Sequence, residues 1–166
     1  VANEAVARVV KNAMRPAIYR VHEDPDHDKI HEFTELARMH GYEPGDLLNK
    51  KHIQRLLDEC RGHPEEHAIK LGLLKSLKRA SYREEPSGHY GLSKVDFCHF
   101  TSPIRRYADL IVHRAIDSLL VNPPGEGSGG RASRAQCAEI AGQVSTSERT
   151  SASAEVESHR LKMLEW

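Results

Sequence analysis

The sequence predicts an α+β fold that is mostly helical and carries only a few short strands. Three observations lead there. Apolar residues recur at three- and four-residue spacing through most of the chain, the period of an amphipathic helix. Aromatic and β-branched residues gather in two short stretches, 18–21 and 81–100, where no helical period runs. Capping and stop residues punctuate the chain at short intervals. At 166 residues, one domain is the natural expectation.

The elements follow in order. Val1, Ala5, Val9 and Ala13 recur every four residues with Ala2, Val6, Val10 and Met14 beside them, so the chain opens on a helix with a wide buried face. Pro16 ends it, because the residue before proline is pushed out of helical geometry. Ile18–Val21 reads as a short strand. Asp24-Pro25 supplies an N-cap and a first-turn proline for a helix that buries Ile30, Phe33, Leu36 and Ala37 and stops at Gly41. Asn49 caps a third helix, with Ile53, Leu56, Leu57 and Cys60 on its apolar face and a stop at Gly62. Pro64 starts a fourth, carrying Ala68, Ile69, Leu73, Leu74 and Leu77. Ser81–Arg83 is strand-like, Pro86-Ser87-Gly88 a turn, and His89–Phe100 one or two short strands. Thr101-Ser102-Pro103 opens another helix, a hydroxyl cap followed by proline, with Ile104, Tyr107, Ile111, Ala115 and Leu119 along one face. Residues 122–133 are rich in Pro, Gly and Ser and form a linker or surface loop. The closing helix, about 134–166, has a narrow seam of Cys137, Ile140, Val144, Ser151, Ala154, Ser158, Leu161 and Leu164, small enough for close approach to a neighbour.

Composition bounds the function. The chain has 24 Lys+Arg against 24 Asp+Glu, so global charge gives no sign of a nucleic-acid partner, and any such partner is held by a local cluster. Charged residues make up 29% and mean hydropathy is −0.59, and no apolar run approaches a membrane span of roughly 20 residues. Neither a membrane partner nor a signal peptide is expected. Three scattered cysteines argue against a disulfide framework or zinc ribbon and for a reducing compartment, the cytoplasm. The chain begins at Val1 and ends at Trp166, both within apolar-periodic stretches, and is expected to be a piece of something longer.

The strongest chemical signal is Phe100-Thr101-Ser102-Pro103-Ile104-Arg105-Arg106-Tyr107. With Thr101 or Ser102 as cap, Arg105 and Arg106 fall in the first helical turn, where the helix dipole disfavours cations by about 0.3–1 kcal/mol each. Such a broken rule marks candidate function. An anion between the free backbone N–H groups and the guanidinium groups would relieve it, as helix starts bind phosphate. The ordinary alternative pairs Arg105 with Asp109 one turn on and leaves Arg106 solvated, a contact worth about 0.3–0.5 kcal/mol. The two readings weigh equally on spacing alone. Arg105, Asp109, His113 and Asp117 form one polar stripe. Asp109 and His113 share a metal-compatible spacing, but a ligand set of three or four is not completed nearby, so no metal site is expected in this chain. His89, Tyr90, Phe97, His99 and Phe100 precede the arginines, and such aromatic-basic clusters line single-stranded nucleic-acid channels. Core packing is the plainer reading for Phe97 and Phe100 taken singly. Lys75, Lys78, Arg79, Arg83 and Lys94 make a basic run, ordinarily a solvated face.

Gly88-His89-Tyr90-Gly91-Leu92, then His99-Phe100-Thr101-Ser102-Pro103-Ile104-Arg105-Arg106-Tyr107, Asp109-Leu110 and His113-Arg114 closely resemble the RNB catalytic domain of the ribonuclease II and ribonuclease R family. Ala2-Asn3-Glu4, Tyr19–Glu23, Ser147-Glu148-Arg149, Ala154-Glu155 and Leu161–Glu165 extend the resemblance over the whole chain except the Gly-rich loop. The His-Phe-Thr and Arg-Arg-Tyr forms are more similar to the ribonuclease R branch. The resemblance implies the C-terminal half of an RNB-type domain, 1–166. It implies a parent that hydrolyses single-stranded RNA from the 3′ end to 5′-nucleoside monophosphates, with magnesium held by an aspartate cluster. It assigns Arg105 to charge on the scissile phosphate. Thr101, Ser102, Arg106, Tyr107, His99 and Phe100 fall to the RNA and phosphate path, and Glu155 to the same channel. The family's aspartates and RNA-clamping aromatics lie upstream of Val1, so this chain alone is expected to be inactive, and its parent monomeric. Ala108 stands where the ribonuclease R branch commonly has Pro, and Leu77 where Met is expected. Both are packing changes. A non-catalytic RNA-binding relative and a structural helical domain with ion-paired arginines are the competing readings.

Overall fold

The computed structural model describes residues 1–121 and 132–164. Most of the Pro/Gly/Ser-rich loop expected at 122–133, and the last two residues of the expected closing helix, lie outside the described residues. The α+β, mostly helical class holds: six helices and one two-stranded sheet are described. The single domain expected from length is built of two compact units. One joins Val1–His22 to the described part of Ala80–Trp166, and the other is Glu23–Arg79.

The first unit carries the candidate site. Helix α1 (Ala2–Asn12) ends before Pro16, its exit marked by Met14 in the left-handed region at φ 52°. Its buried face is narrower than the double stripe suggests: Ala7 and Val10 are buried, while Val1 and Val9 are exposed. Strands β1 (Tyr19–Val21) and β2 (Ser81–Arg83) form where β-prone residues cluster, and pair antiparallel with Arg20 opposite Tyr82. Tyr19, Val21 and Tyr82 point into the core.

The one or two strands expected over His89–Phe100 are not there. The chain instead closes a loop, with His89 and Lys94 exchanging backbone hydrogen bonds (2.7 and 3.2 Å) around a 3-10 turn at Tyr90–Leu92. Gly88 at φ 85° and Ser93 at φ 52° break the extended geometry a strand needs. Beyond it, the Phe97 carbonyl accepts from the Arg20 N–H at 2.9 Å, so this segment still runs beside β1.

Helix α5 (Tyr107–Val121) starts six residues later than Thr101. Its buried face is Ala108, Asp109, Ile111, Val112, Ala115 and Ser118, whereas Ile104 is fully exposed and Tyr107 is half-exposed. Helix α6 (Arg134–Leu164) buries Cys137 and Ala141, with Ile140 and Val144 packed against the same core. The lower half of the expected seam does not bury: Ser151, Ala154, Ser158, Leu161 and Leu164 are all exposed. Ser145 of α6 accepts the Tyr82 N–H at 2.9 Å, covering the free edge of β2.

In the second unit, α2 (His27–Met39) is capped by Asp26, whose carboxylate accepts the Asp28 N–H, not by Asp24. Helix α3 (Lys50–Glu59) is capped by Asn49 as expected. Gly41 and Gly62 end α2 and α3 in left-handed geometry. Helix α4 (Glu66–Ser76) begins after Pro64 and buries Ile69, but Leu74 faces solvent. Ile30, Phe33, Ala37, Leu47, Ile53, Leu56, Cys60 and Ile69 form the core of this unit.

Candidate nucleic-acid interface

The segment 97–106 is irregular, and its shape is set by groups from two helices. From α1, Asn3 holds it twice: its carbonyl oxygen accepts the Cys98 S–H at 3.3 Å, and its side-chain Oδ1 accepts the Phe100 N–H at 3.2 Å. From α5, Asp109 accepts the Ser102 N–H at 2.8 Å, and His113 Nε2 donates to the Phe100 carbonyl at 2.8 Å. The Phe100 and His113 rings also stack, 4.1 Å apart and 10° from parallel. The carboxylate and imidazole one turn apart on α5 thus fasten the preceding loop. Among the described residues no cluster of three or more His, Cys, Asp or Glu is arranged to hold a metal ion. The residues present do not fit the magnesium that the family resemblance implies.

The late start of α5 follows from the same contacts. Ser102 gives its N–H to Asp109, and its carbonyl accepts the N–H groups of both Arg105 and Arg106 (3.3 and 3.2 Å), which closes a turn over 102–106. The two arginines therefore precede the helix. Their pairing is the reverse of the ordinary alternative. Arg106 Nη2 donates to Asp109 Oδ1 at 2.9 Å, and its Nε lies 2.8 Å from Oδ2 as an ion pair without hydrogen-bonding geometry. Arg105 is exposed and makes no ion pair among the described residues. The reason is geometric: an i, i+4 pair needs helix at both ends, and residue 105 sits in a turn. Asp109, 0% exposed and in the first turn of α5, offsets Arg106 and complements the helix dipole together. The frustration expected of two cations at a helix start is thereby reduced to one free guanidinium.

The other expected site residues divide. Thr101 is exposed, and Tyr107 is half-exposed at the helix start. His99 is partly buried, its Nδ1 2.8 Å from the Tyr82 hydroxyl. Burial, helped by the nearby Arg106 and Arg20 charges, pushes His99 down to about 4. Burial likewise raises Tyr82, so a neutral phenol faces a neutral imidazole. Phe100 is half-buried under His113, in a packing role. Glu155 lies on the exposed far half of α6, away from this turn in sequence and without a described contact. Lys78 and Lys94, from the expected basic run, pair with Glu23 and Glu4, and the Lys94 contact holds the Glu4 carboxyl below its usual range.

Two groups escaped the sequence reading. Arg20 makes a bidentate ion pair with Glu148 of α6 (2.6 and 2.9 Å), with its guanidinium 4.6 Å over the Tyr82 ring. Nothing local to residue 20 foretells a partner 128 positions away. His22 lies edge-on to the rings of His89 and Tyr90, and its Nδ1 accepts the Gly91 N–H. The signal for it is Gly91: a Cβ there would stand 2.9 Å from the His22 ring. With Phe97 and His99, these rings form a continuous edge-to-face row behind the arginine turn.

A model of the RNB domain matches residues 1–122. The chain belongs to the RNB domain family. Among curated RNB proteins, ribonuclease R of Aquifex aeolicus is 39% identical over 122 residues, covering 72% of this chain and 17% of that protein. The chain thus spans about one sixth of that relative's length. Among solved RNB structures, apo RNase R of Mycoplasma genitalium matches with a TM-score of 0.79 at 31% identity, over 89% of this chain and 24% of that one. The same enzyme with ribose-methylated single-stranded RNA matches at 0.78. Yeast Ssd1, described as a pseudonuclease, matches at 0.65 and 25% identity, over 76% of this chain and 16% of its own.

Proposed function

We propose that this chain is the phosphate-gripping part of a hydrolytic exoribonuclease that degrades single-stranded RNA from its 3′ end to 5′-nucleoside monophosphates. The observation that carries the reading is Arg105: a free, exposed guanidinium on a turn locked by buried Asp109. Guanidinium is a planar two-pronged phosphate ligand, and a fixed turn lets it act without first being ordered. Thr101 offers an exposed hydroxyl in the same segment and Arg106 a half-neutralised second charge. His99 and Phe100 act from behind, as supports of the turn, and Glu155 would face the channel only from the far part of α6. Magnesium, in this reading, is held by aspartates outside this chain and supplies the activated water. The chain alone is then inactive. The three cysteines are free and buried, in keeping with a cytoplasmic, reducing setting, and no helix among the described residues is long and apolar enough to cross a membrane. The parent is proposed to act as a monomer.

The test is anisotropy of a labelled single-stranded RNA against salt, for the chain and for Arg105→Ala. Loss of one phosphate contact predicts weaker binding and a salt slope shallower by about 0.7. An unchanged slope would sink the phosphate role. Incubation of the chain with RNA and magnesium is expected to release no mononucleotide. The likeness to Ssd1 favours one second reading, a non-catalytic RNA-binding relative. Both readings predict binding by the chain, and the presence or absence of metal-binding aspartates in the complete parent separates them.

A further inference from the structure

Helices α5 and α6 bound a cleft of about 520 Å³, within the roughly 300–1,000 Å³ of small-ligand sites. Its floor is apolar, formed by Ile111 and Ile140, and the half-exposed ring of Tyr107 lines one wall. Its rim is polar. Arg114 is exposed, with no ion pair among the described residues. The Gln136 side-chain carbonyl accepts the Ser133 N–H at 2.8 Å, which commits its acceptor and leaves an NH₂ donor. Gln143 does the converse, donating its NH₂ to Glu139 at 3.3 Å and keeping its carbonyl as acceptor. One wall thus offers a ring, the α6 rim offers the Gln136 donor and, two turns on, the Gln143 acceptor with the Glu139 carboxylate between them, and Arg114 adds a free guanidinium.

A nucleotide matches each of these. A base is a flat apolar plate that stacks on tyrosine and carries donors and acceptors on its edge. Its phosphate suits a guanidinium. Tyr107 directly follows the Arg105–Arg106 turn, so the cleft opens where that turn ends. We propose that the α5–α6 cleft holds one nucleotide of the RNA, with the base between Tyr107 and the isoleucine floor, its edge on Gln143, and its phosphate on Arg114. This rests on the RNA-binding reading above, but it adds a second, separate contact to it.

The test titrates 5′-AMP and 5′-GMP into the full chain by calorimetry, with ribose 5-phosphate as the probe that lacks a base. At least one nucleotide is expected to bind more tightly than ribose 5-phosphate by roughly tenfold, the effect of one stacked base. Arg114→Ala is expected to weaken the nucleotide by about tenfold, the effect of one charge-assisted contact. Gln143→Ala, which changes no charge and replaces an exposed helical residue with a better helix former, is expected to weaken it severalfold. It also keeps the test decisive if Arg114→Ala loses its fold by circular dichroism. Ribose 5-phosphate binding as tightly as both nucleotides, no binding at millimolar nucleotide, or full affinity in Gln143→Ala would each overturn the cleft proposal. If those outcomes came while Arg105→Ala still weakened single-stranded RNA, the cleft alone would be wrong. If Arg105→Ala had no effect on RNA, the functional reading beneath it would fail instead.

Discussion

Asp109→Asn is the substitution that probes the site most directly. Asp109 has no exposed surface, and its Oδ1 accepts from both the Ser102 N–H and the Arg106 guanidinium, with Oδ2 at ion-pair distance from Arg106 Nε. Asparagine keeps the shape and one acceptor but removes the charge. Breaking a buried ion pair from one side costs about 3–5 kcal/mol, because the other charge is left unpaired. Arg106 is not fully buried here: its side chain is 22% exposed, and it can turn part-way to water. We therefore expect a loss of about 2–4 kcal/mol, or roughly 4–16 °C in Tm for a chain of this size. Urea denaturation at pH 7 measures it. Arg106→Ala and the double variant close a cycle, in which we expect a coupling of at least about 1 kcal/mol. A second readout follows from position. If the turn over 102–106 depends on Asp109, the Asn variant loses RNA affinity as Arg105→Ala does, though residue 109 is buried and touches no solvent. A stability loss under about 0.5 kcal/mol, or additive single effects, would refute the claim that this pair sets the turn.

Three further outcomes are expected. His99 is pushed down to about 4 from 6.5, so the unfolded chain takes its proton first as pH falls; stability is full above about pH 7 and declines through 6.5 toward 4, by about 1–2 kcal/mol between pH 7.5 and 5. Denaturation at the two pH values, repeated in His99→Asn, checks this, and an equally steep loss in the variant would rule His99 out as its source. Gly72→Ala would place a Cβ 2.4 Å from Leu36 and 3.1 Å from Phe33 on the facing helix. Crowding of about 1–3 kcal/mol then outweighs the gain in helix propensity of about 1 kcal/mol, and a stabilised variant in thermal melts would contradict that packing. The Cys98 thiol is pushed up to about 12 by burial, which leaves about one molecule in ten thousand as thiolate at pH 8. Cys60 and Cys137 are buried and shifted upward too. A thiol-disulfide dye is expected to stay unreactive with the native chain and to count all three cysteines after denaturation.

Local signals were read correctly where local physics decides them. Asn49 caps α3, because a side-chain oxygen two residues from an orphan N–H needs no distant partner. Gly41 and Gly62 stop helices, because their left-handed geometry is a property of one residue. The strands at 19–21 and 81–83, and the motif that marks the RNB family, were likewise legible in order of residues alone. Proline in the first-turn position of a hydroxyl-capped segment looked like an equally local signal at 101–103, and there it misled. The backbone of Ser102 is claimed by Asp109, a residue on the next helix, and the turn this makes delays α5 to Tyr107. That delay moves Arg106 onto Asp109 and leaves Arg105 free, the reverse of what helical spacing implies. The far half of α6 shows the same limit, since its small-residue seam is a pattern that buries only where a neighbour stands, and here Ser151 to Leu164 face outward. Sequence alone settled the approximate helices, the Asn49 cap, the glycine stops and the identity of the arginine-bearing segment, since these depend on contacts within a few residues. Which arginine is neutralised and which is free was set by packing, because Asn3, Asp109 and His113 fix that loop from two different helices, and such contacts exist only once the helices have packed.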